Sequence, residues 1–340
     1  MLRILHDTKF DFIKWWRWAA GLTAAFILLG LASFVIRGGV NYSIEFTGGT
    51  LMQLQFAKAT DVGRIRSTMD RAGITGAEIQ TFGSDSGFTI RAQNRQEVAS
   101  QAAGAESVAQ RVQDALTKEF GSNTYRVVRT EAVGPRVGAE LRRNAAIAML
   151  LASLVTLVYL AIRFEWRFGV AAVLSTAHDV LVTLAFIKLF HIEVSLTVVA
   201  GILTLLGYSG NDTIIIFDRV RENLKKDRKS PLYNLLNRSI NETLPRSVLT
   251  HATTLAATLA LLLFAGEVIR PFAIVMTFGI FVATFSSVYV ASPLLLWIEH
   301  KWPRTADSKA GKAAVRASRT ELPPAERTPR SREPERAGTR

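Results

Sequence analysis

The chain has 340 residues, 49% of them hydrophobic, a formal charge of +13 and no cysteine. The missing cysteine excludes disulfides and thiolate metal sites. The basic excess would suit nucleic-acid binding, but the cations fall in places that argue against it.

Residues 1–17 carry four basic side chains, Lys14 and Arg17 among them, ahead of an apolar run from Trp18 to Ile36. That run is long enough to cross a bilayer, which takes about 20 residues. It reads as a retained helix because it lacks a small-x-small cleavage site. The polar stretch 37–143 follows. "TLMQLQF" (50–56) is strand-like, and "DVGRIRSTMDRAG" (61–73) is helical with Thr60 as its expected N-cap. "AEIQTFG" (77–83) and "GFTIRAQ" (87–93) form a hairpin around Ser-Asp-Ser, a helix covers 96–120, and "TYRVVRTEAV" (124–133) is a last strand. This β-α-β-β-α-β order predicts a small α+β ferredoxin-like domain.

Five further spans follow at Asn144–Ile162, Phe168–Phe190, Val194–Phe217, Ser247–Gly266 and Phe272–Ile298. The fold expected is therefore a polytopic α-helical membrane protein with six transmembrane helices and one external domain. No internal repeat divides the six spans. Segment 218–246 reads as a loop in which Pro231 opens a helix with Leu232, Leu235, Leu236 and Ile240 on one face. Such a helix could lie on the membrane surface, on a partner or on its own bundle. From about residue 299 the tail is basic, poor in groups to bury, and expected to be disordered.

Of the 41 lysines and arginines, 4 fall in 1–17, 2 in 163–167, 8 in 218–246 and 11 in 298–340, whereas 191–193 has none and 267–271 has one. Short cytoplasmic loops concentrate basic residues. Both termini and the loops 163–167 and 218–246 are thus placed in the cytoplasm, and 37–143 outside. The basic tail then reads first as a solvated segment, with attraction to anionic lipid as the alternative, rather than as a nucleic-acid site.

Ionisable groups inside spans are costly, about 2.5–3.5 kcal/mol each on insertion scales. The third span carries His178 and Asp179, and the fourth carries Asn211 and Asp212 after Tyr208 and Ser209. In the fifth, Ser247, Thr250, Thr254 and Thr258 recur at spacings of three and four and make one hydroxyl stripe. Such hydroxyls commonly only bond a neighbouring helix. His178 and Asp179 suit either a satisfied pair between helices or a functional one. Gly201, Gly207 and Gly210 read as close-packing positions. Asp212, among isoleucines, needs either a cationic partner or protonation, the ingredients of a proton relay. Arg246, directly after Pro245, stands at an expected helix start.

"GYSGNDTIIIFDRVREN" and "NETLPRSVLTHATTLAATLALLLF", together with "FTGGT" (46–50), "VGPRVGAEL" (133–141) and "AHD" (177–179), resemble SecF, the smaller membrane subunit of the SecD–SecF protein-export complex. The resemblance covers residues 15 to about 298. It implies one six-helix repeat of the resistance-nodulation-division type in a bacterial inner membrane. It also implies use of the proton motive force, with SecD and the Sec translocon (SecYEG, SecA and accessory YajC/YidC), to help preproteins cross. The carboxylate after Asn in the fourth span, here Asp212, is then the proton carrier, and Arg246 of "LPR" its cationic partner. Glu45, Phe46, Thr47, Gly48, Gly49 and Thr50 fall on a family motif usually written with Asp at the position of Glu45. Protons are the coupling ion and no cofactor is implied. The runner-up is a free-standing exporter of small molecules or lipids from the same superfamily. An aspartyl protease needs Gly-x-Gly-Asp, whereas this chain has "GYSGND", and no Walker loop is present. The chain is therefore read as a translocase subunit rather than an enzyme.

Overall fold

The computed structural model describes residues 8–74, 77–92, 103–163, 165–227, 230–266 and 268–302. In chain order, a 3-10 turn at Ile13–Trp15 leads into α1 (Trp16–Ile36), and the short α2 (Ile44–Thr47) precedes β1 (Gly49–Phe56). Then come α3 (Val62–Arg71), β2 (Glu78–Phe82), β3 (Ser84–Ala92), α4 (Ala103–Phe120) and β4 (Tyr125–Val133). The remaining helices are α5 (Pro135–Arg163), α6 (Trp166–Leu189), α7 (Leu196–Lys226), α8 (Leu232–Phe264) and α9 (Arg270–Ser286). A π turn at Ser287–Ala291 joins α9 to α10 (Ser292–Lys301).

Among the described residues, six helical stretches are long and apolar enough to cross a membrane, the number read from hydropathy. About half the residues of α6, α7 and α9 are buried and these helices form the centre, while α1, α5 and α8 bury little of their surface. Small residues let the helices approach. A Cβ built on Gly279 would stand 2.7 Å from Leu205, and one on Gly30 2.5 Å from the Ala185 Cβ. Gly201 meets Val275 in the same way, but Gly207 and Gly210 have nothing within 4 Å, so the close packing expected of them is absent within this chain.

The segment between α1 and α5 folds around a four-stranded antiparallel sheet in the order β2-β3-β1-β4, the arrangement a split β-α-β pair produces. Alternate residues of β1 (Met52, Leu54, Phe56) face α3 and α4 across a core with Ile65, Met69, Phe88, Val112 and Leu116. Two local expectations change. The α3 N-cap is Asp61, one residue after Thr60, because its carboxylate accepts the Arg64 amide at 3.2 Å. Ser84, Asp85 and Ser86 belong to β3, and the turn is closed at Gly83, whose φ of +71° supplies the left-handed residue that lets the serines stay extended. The first part of the helix expected at 96–120, up to 102, and the tail from 303 lie outside the described residues.

Segment 218–246 is not a loop with a helix of its own. α7 and α8 run 31 and 33 residues and join through 227–231. At 1.5 Å per residue they are about 46 and 50 Å long, well beyond a hydrocarbon core of about 30 Å. Pro231 does open the helix, and Leu235, Leu236 and Ile240 are buried against the chain's own bundle. Pro245, however, stands inside α8 rather than at a start. The N-terminal segment straps onto this end. Asn241 exchanges two hydrogen bonds with Phe10, at 2.9 and 2.8 Å, and the Tyr233 hydroxyl donates to Asp11 at 2.6 Å.

At the opposite end, the sheet domain is tied to the bundle by Ser43 N to Val194 O (2.9 Å), Val194 N to Asn41 O (2.7 Å) and the Arg91–Glu193 ion pair. The chain divides into two units, Met1–Leu296 and Trp297–Arg340. In the second, the Lys301 ammonium lies over the rings of Trp297 and Trp302.

Candidate functional site

The 3.6-residue period of α7 turns Ser209, Asp212, Thr213 and Ile216 inward together, and all four are buried. Asn211, one position away, is exposed. The Asp212 carboxylate is 4% exposed. Its Oδ1 accepts from the Ser247 hydroxyl of α8, and its Oδ2 accepts from Ser287 Oγ in the π turn at 2.6 Å. Three elements thus converge on one carboxylate. A π turn fits an extra residue into a helix and is frequent at functional sites. Here the widened turn carries Ser287, and Ser292 Oγ donates at 3.2 Å to the Ser287 carbonyl, five residues back. The Ser287 hydroxyl also lies 3.0 Å from the Thr284 carbonyl, a second acceptor to which it can turn.

Arg246, the expected cationic partner, is exposed, and among the described residues no ion pair joins it to Asp212. The reason is helical geometry. Ser247 faces Asp212, and its neighbour is rotated about 100° away from it. The hydroxyl stripe is likewise divided. Ser247 reaches Asp212, whereas Thr250 and Thr254 donate to carbonyls four residues back in α8, each at 2.9 Å. Tyr208 meets the buried His251 edge-on at 5.6 Å, and His251 Nδ1 lies 2.7 Å from the Ser247 carbonyl.

A second carboxylate lies close by. Asp179 on α6 is 1% exposed. Its Oδ1 is 3.0 Å from His178 Nδ1, and its Oδ2 accepts from the Ser209 hydroxyl. One turn along α6, Ser175 and Ser286 share a hydrogen bond at 2.7 Å. Ser287 and Ser286 carry no expectation in the sequence reading. The available signal is the adjacent pair "SS" inside an otherwise apolar span.

The motif at 45–50 has a structural task. Phe46 and Thr50 are buried, and Gly48 has φ of +76°. Gly138 of α5 packs so closely on Phe46 and Gly48 that a Cβ there would lie 3.0 Å from the Gly48 nitrogen. The Thr47 hydroxyl donates to the Ser43 carbonyl at 3.1 Å. Glu45 Oε2 accepts the Leu196 amide at 2.6 Å and the Ser43 hydroxyl at 3.2 Å. The carboxylate thus caps the first turn of the helix that carries Asp212, where the dipole favours negative charge.

The end of the bundle away from the sheet is strongly charged. Arg219 pairs with Glu242 and with Glu222, each at 2.6 Å, and Arg238 pairs with Glu242 at 2.9 Å. Asp11, in the N-terminal strap, is held below the usual carboxylate range chiefly by the Tyr233 hydroxyl, with help from Asn237 and Lys14.

Two family models match the chain: the C-terminal domain of the protein export membrane proteins SecD/SecF over residues 112–301, and the SecD/SecF GG motif over 33–60. A protein translocase subunit SecF of Gemmatimonas aurantiaca is 66% identical over 326 residues, covering 94% of this chain and 98% of that protein. The SecF of Escherichia coli O157:H7 is 37% identical, covering 90% and 94%. The crystal structure of SecDF, a translocon-associated membrane protein from Thermus thermophilus, superposes with a TM-score of 0.76 at 36% identity. It covers 88% of this chain, which spans 40% of that longer one. With relatives matched over nearly their whole length, this chain belongs to the SecF family of protein translocase subunits.

Proposed function

We propose that this chain is the proton-carrying subunit of a Sec export accessory complex, with Asp212 as the group that takes up and releases the proton. The observation that carries the reading is the setting of that carboxylate. It is buried between α7, α8 and the π turn, with hydroxyls as its partners and no cation among the described residues. A charge left there without a counter-ion is expensive, while a neutral carboxyl fits the same hydroxyl cage. Proton occupancy then decides how the three elements pack. The charged form recruits both serine donors. The neutral form still accepts from one serine at its carbonyl oxygen and frees the other, so that Ser287 can turn to Thr284. Arg246, exposed one residue from Ser247, becomes the cation that approaches when α8 rotates to meet a charged Asp212.

A proton crossing the whole field supplies about 2.3 kcal/mol per 100 mV, sufficient to bias two packings of a bundle though small beside the export of a whole polypeptide. Many cycles per substrate are implied. The basic, salt-bridged end of the bundle faces the cytoplasm and the sheet domain faces outward across a bacterial inner membrane, as the distribution of basic residues favours. Movement of α7 reaches the domain through Glu45, the Tyr42–Val194 bridge and Arg91–Glu193, and the domain passes it to the emerging preprotein.

A SecD-type partner is expected to cover the open flank. Thr204, Gly207 and Asn211 of α7 and Arg246, Thr250 and Thr253 of α8 are exposed, a polar strip poorly suited to lipid. Docking on SecYEG and cooperation with SecA and YajC/YidC belong to the same proposal. The free-standing exporter is disfavoured, since relatives of the same length are named translocase subunits. The test is Asp212→Asn, which keeps the shape and removes the titration. Gradient-stimulated export in inverted vesicles should fall to the level seen without a gradient. Undiminished stimulation would remove Asp212 from the mechanism.

A further inference from the structure

We propose that Asp179 and His178 form a second proton-bearing station, placed between Asp212 and the outer face and joined to Asp212 through the Ser209 hydroxyl. The proposal rests on the reading of Asp212 as the proton carrier.

The first argument is position. α7 starts at the sheet-domain end, and Ser209 precedes Asp212 by three residues. Its level in the bundle is therefore about 4.5 Å nearer the outer face. Because Ser209 donates to Asp179, the second carboxylate shares that level. Residues three apart on a helix have Cβ atoms about 5–6 Å apart on one face, a gap that one water can bridge between Ser209 and the Asp212 carboxylate. A proton entering from outside therefore meets the Asp179 level before it meets Asp212.

The second argument is chemistry. Asp179 is 1% exposed, and its partners are an imidazole and a hydroxyl. Among the described residues, the helices packed on α6 bring no lysine or arginine to its level, and Asp212 is the nearest further acid. α1 has none between Arg17 and Ile36, α9 has none after Arg270, and the π turn has only Tyr289, which lies on Phe12. The ionisable groups of α5 are confined to its first nine residues, Tyr159 and Arg163, and α7 contributes Tyr208 and Asp212 at this depth. The pair is neutral overall either as carboxylate with imidazolium or as carboxyl with imidazole, and an added proton has two bases to choose between. Among the described residues, His178 Nε2 is buried with no hydrogen-bond partner, an unsatisfied polar atom of the kind that calls for explanation in a packed bundle. It is the atom at which an incoming proton can bind.

The step balances without any further reagent. A proton from the outer side binds His178 Nε2, and the imidazolium gives its Nδ1 proton to Asp179. The Asp179 carboxyl then passes a proton to Ser209 Oγ, which releases its own to the bridging water, and that water protonates Asp212. Asp179 and Ser209 end with the protons they began with, and Asp212 has gained one proton. His178 has moved its ring proton from Nδ1 to Nε2 and returns by tautomer exchange before the next cycle.

The test uses the chain co-purified with its SecD-type partner in proteoliposomes, with an imposed pH gradient and a trapped pH dye. Asp179→Asn should lower gradient-driven proton uptake at least tenfold, the loss also expected of Asp212→Asn, and Asp179→Glu should restore most of it. His178→Gln should displace the pH profile of uptake, which a merely structural role would leave in place. Infrared spectra supply a readout independent of transport. Asp212→Asn protein should keep one carboxyl band that titrates with pH, and that band should vanish when Asp179→Asn is added. Wild-type uptake and pH profile in Asp179→Asn, with Asp212→Asn inert, overturn this station and leave the relay at Asp212 standing. Should Asp179→Asn fail to fold, the absence of any titrating carboxyl band in Asp212→Asn overturns the station. Undiminished uptake in Asp212→Asn overturns both.

Discussion

Glu45 offers the sharpest link between the helical bundle and the sheet domain. The first amides of a helix have no partner within it, and in α7 the Ser195 side chain takes the Val198 amide at 3.3 Å. The Leu196 amide is served from 151 positions away by Glu45 at 2.6 Å. A hydrogen bond to a charged group contributes about 1.5–3 kcal/mol, and a favourable charge at a helix start about 0.3–1 kcal/mol. Since Glu45 is half-exposed, the lower ends apply. Glu45→Ala should cost the first turn of α7 about 1–2 kcal/mol, and Glu45→Gln, which keeps an acceptor oxygen, less than 1 kcal/mol. One or two kcal/mol is a factor of about 5–30 in a local opening constant.

Hydrogen exchange of the peptide covering 190–200 in the purified complex measures that factor directly. The expected order of exchange is Glu45→Ala fastest, Glu45→Gln intermediate and wild type slowest. In vesicles, Glu45→Ala should take up protons yet stimulate export poorly, because the domain no longer follows α7. Unchanged exchange at 190–200 in Glu45→Ala would refute the capping argument. Faster exchange with full export would refute the role of the cap in transmission.

Gly30→Ala places a methyl 2.5 Å from the Ala185 Cβ and 2.7 Å from its Cα, where carbon contacts prefer about 3.5–4.0 Å. Separating α1 from α6 should cost about 1–3 kcal/mol, read as a lower unfolding temperature in detergent. Gly21→Ala, with nothing within 4 Å, serves as a control that should be neutral or slightly stabilising, and equal behaviour of the two would contradict the packing. The Asp11 strap should respond to acid in a defined direction. Its carboxyl is lowered in the folded state, so its contribution is complete above the ordinary carboxylate value of 3.8 and is lost as pH falls through the lower folded value. A spin label at Lys9 should keep constant mobility from neutral pH down to about 4 and loosen only below that. Loosening between pH 7 and 5 would show that another group holds the strap.

Span number, domain order and the sheet's strand sequence were legible because each rests on a strong periodic signal, apolar length for the helices and alternation for strands such as β1. Pro245 was misleading for a physical reason. Proline is favoured at helix starts, yet packing of Leu235, Leu236 and Ile240 on one side and of Ser247 and His251 on the other carries α8 straight through it. The partner of Asp212 was illegible for a different reason. Sequence ranks Arg246 by charge, while the structure ranks it by angle, and a single helical step gives the place to Ser247. Ser287 depends on a π turn, which no composition rule announces. Its nearest written trace is the doublet with Ser286.

Among the described residues, Asp212 is met by serine hydroxyls and Asp179 by a hydroxyl and an imidazole, with no lysine or arginine on either, and this choice has a mechanical meaning. A guanidinium locked on Asp212 would hold the charged form and make protonation rare. Serine hydroxyls can donate to a carboxylate or turn to a backbone carbonyl, as Ser287 can between Asp212 and Thr284, so the contacts around Asp212 can be exchanged without moving a charged side chain. The same helix carries the consequence outward. α7 bears Ser209 and Asp212 in its middle, is capped by Glu45, next to the sheet domain, at its first residue, and is fastened by Arg219 and Asn223 to α8 near its last. A helix fixed at both ends cannot repack around Asp212 without moving what it is tied to, and one of those ties is the sheet domain.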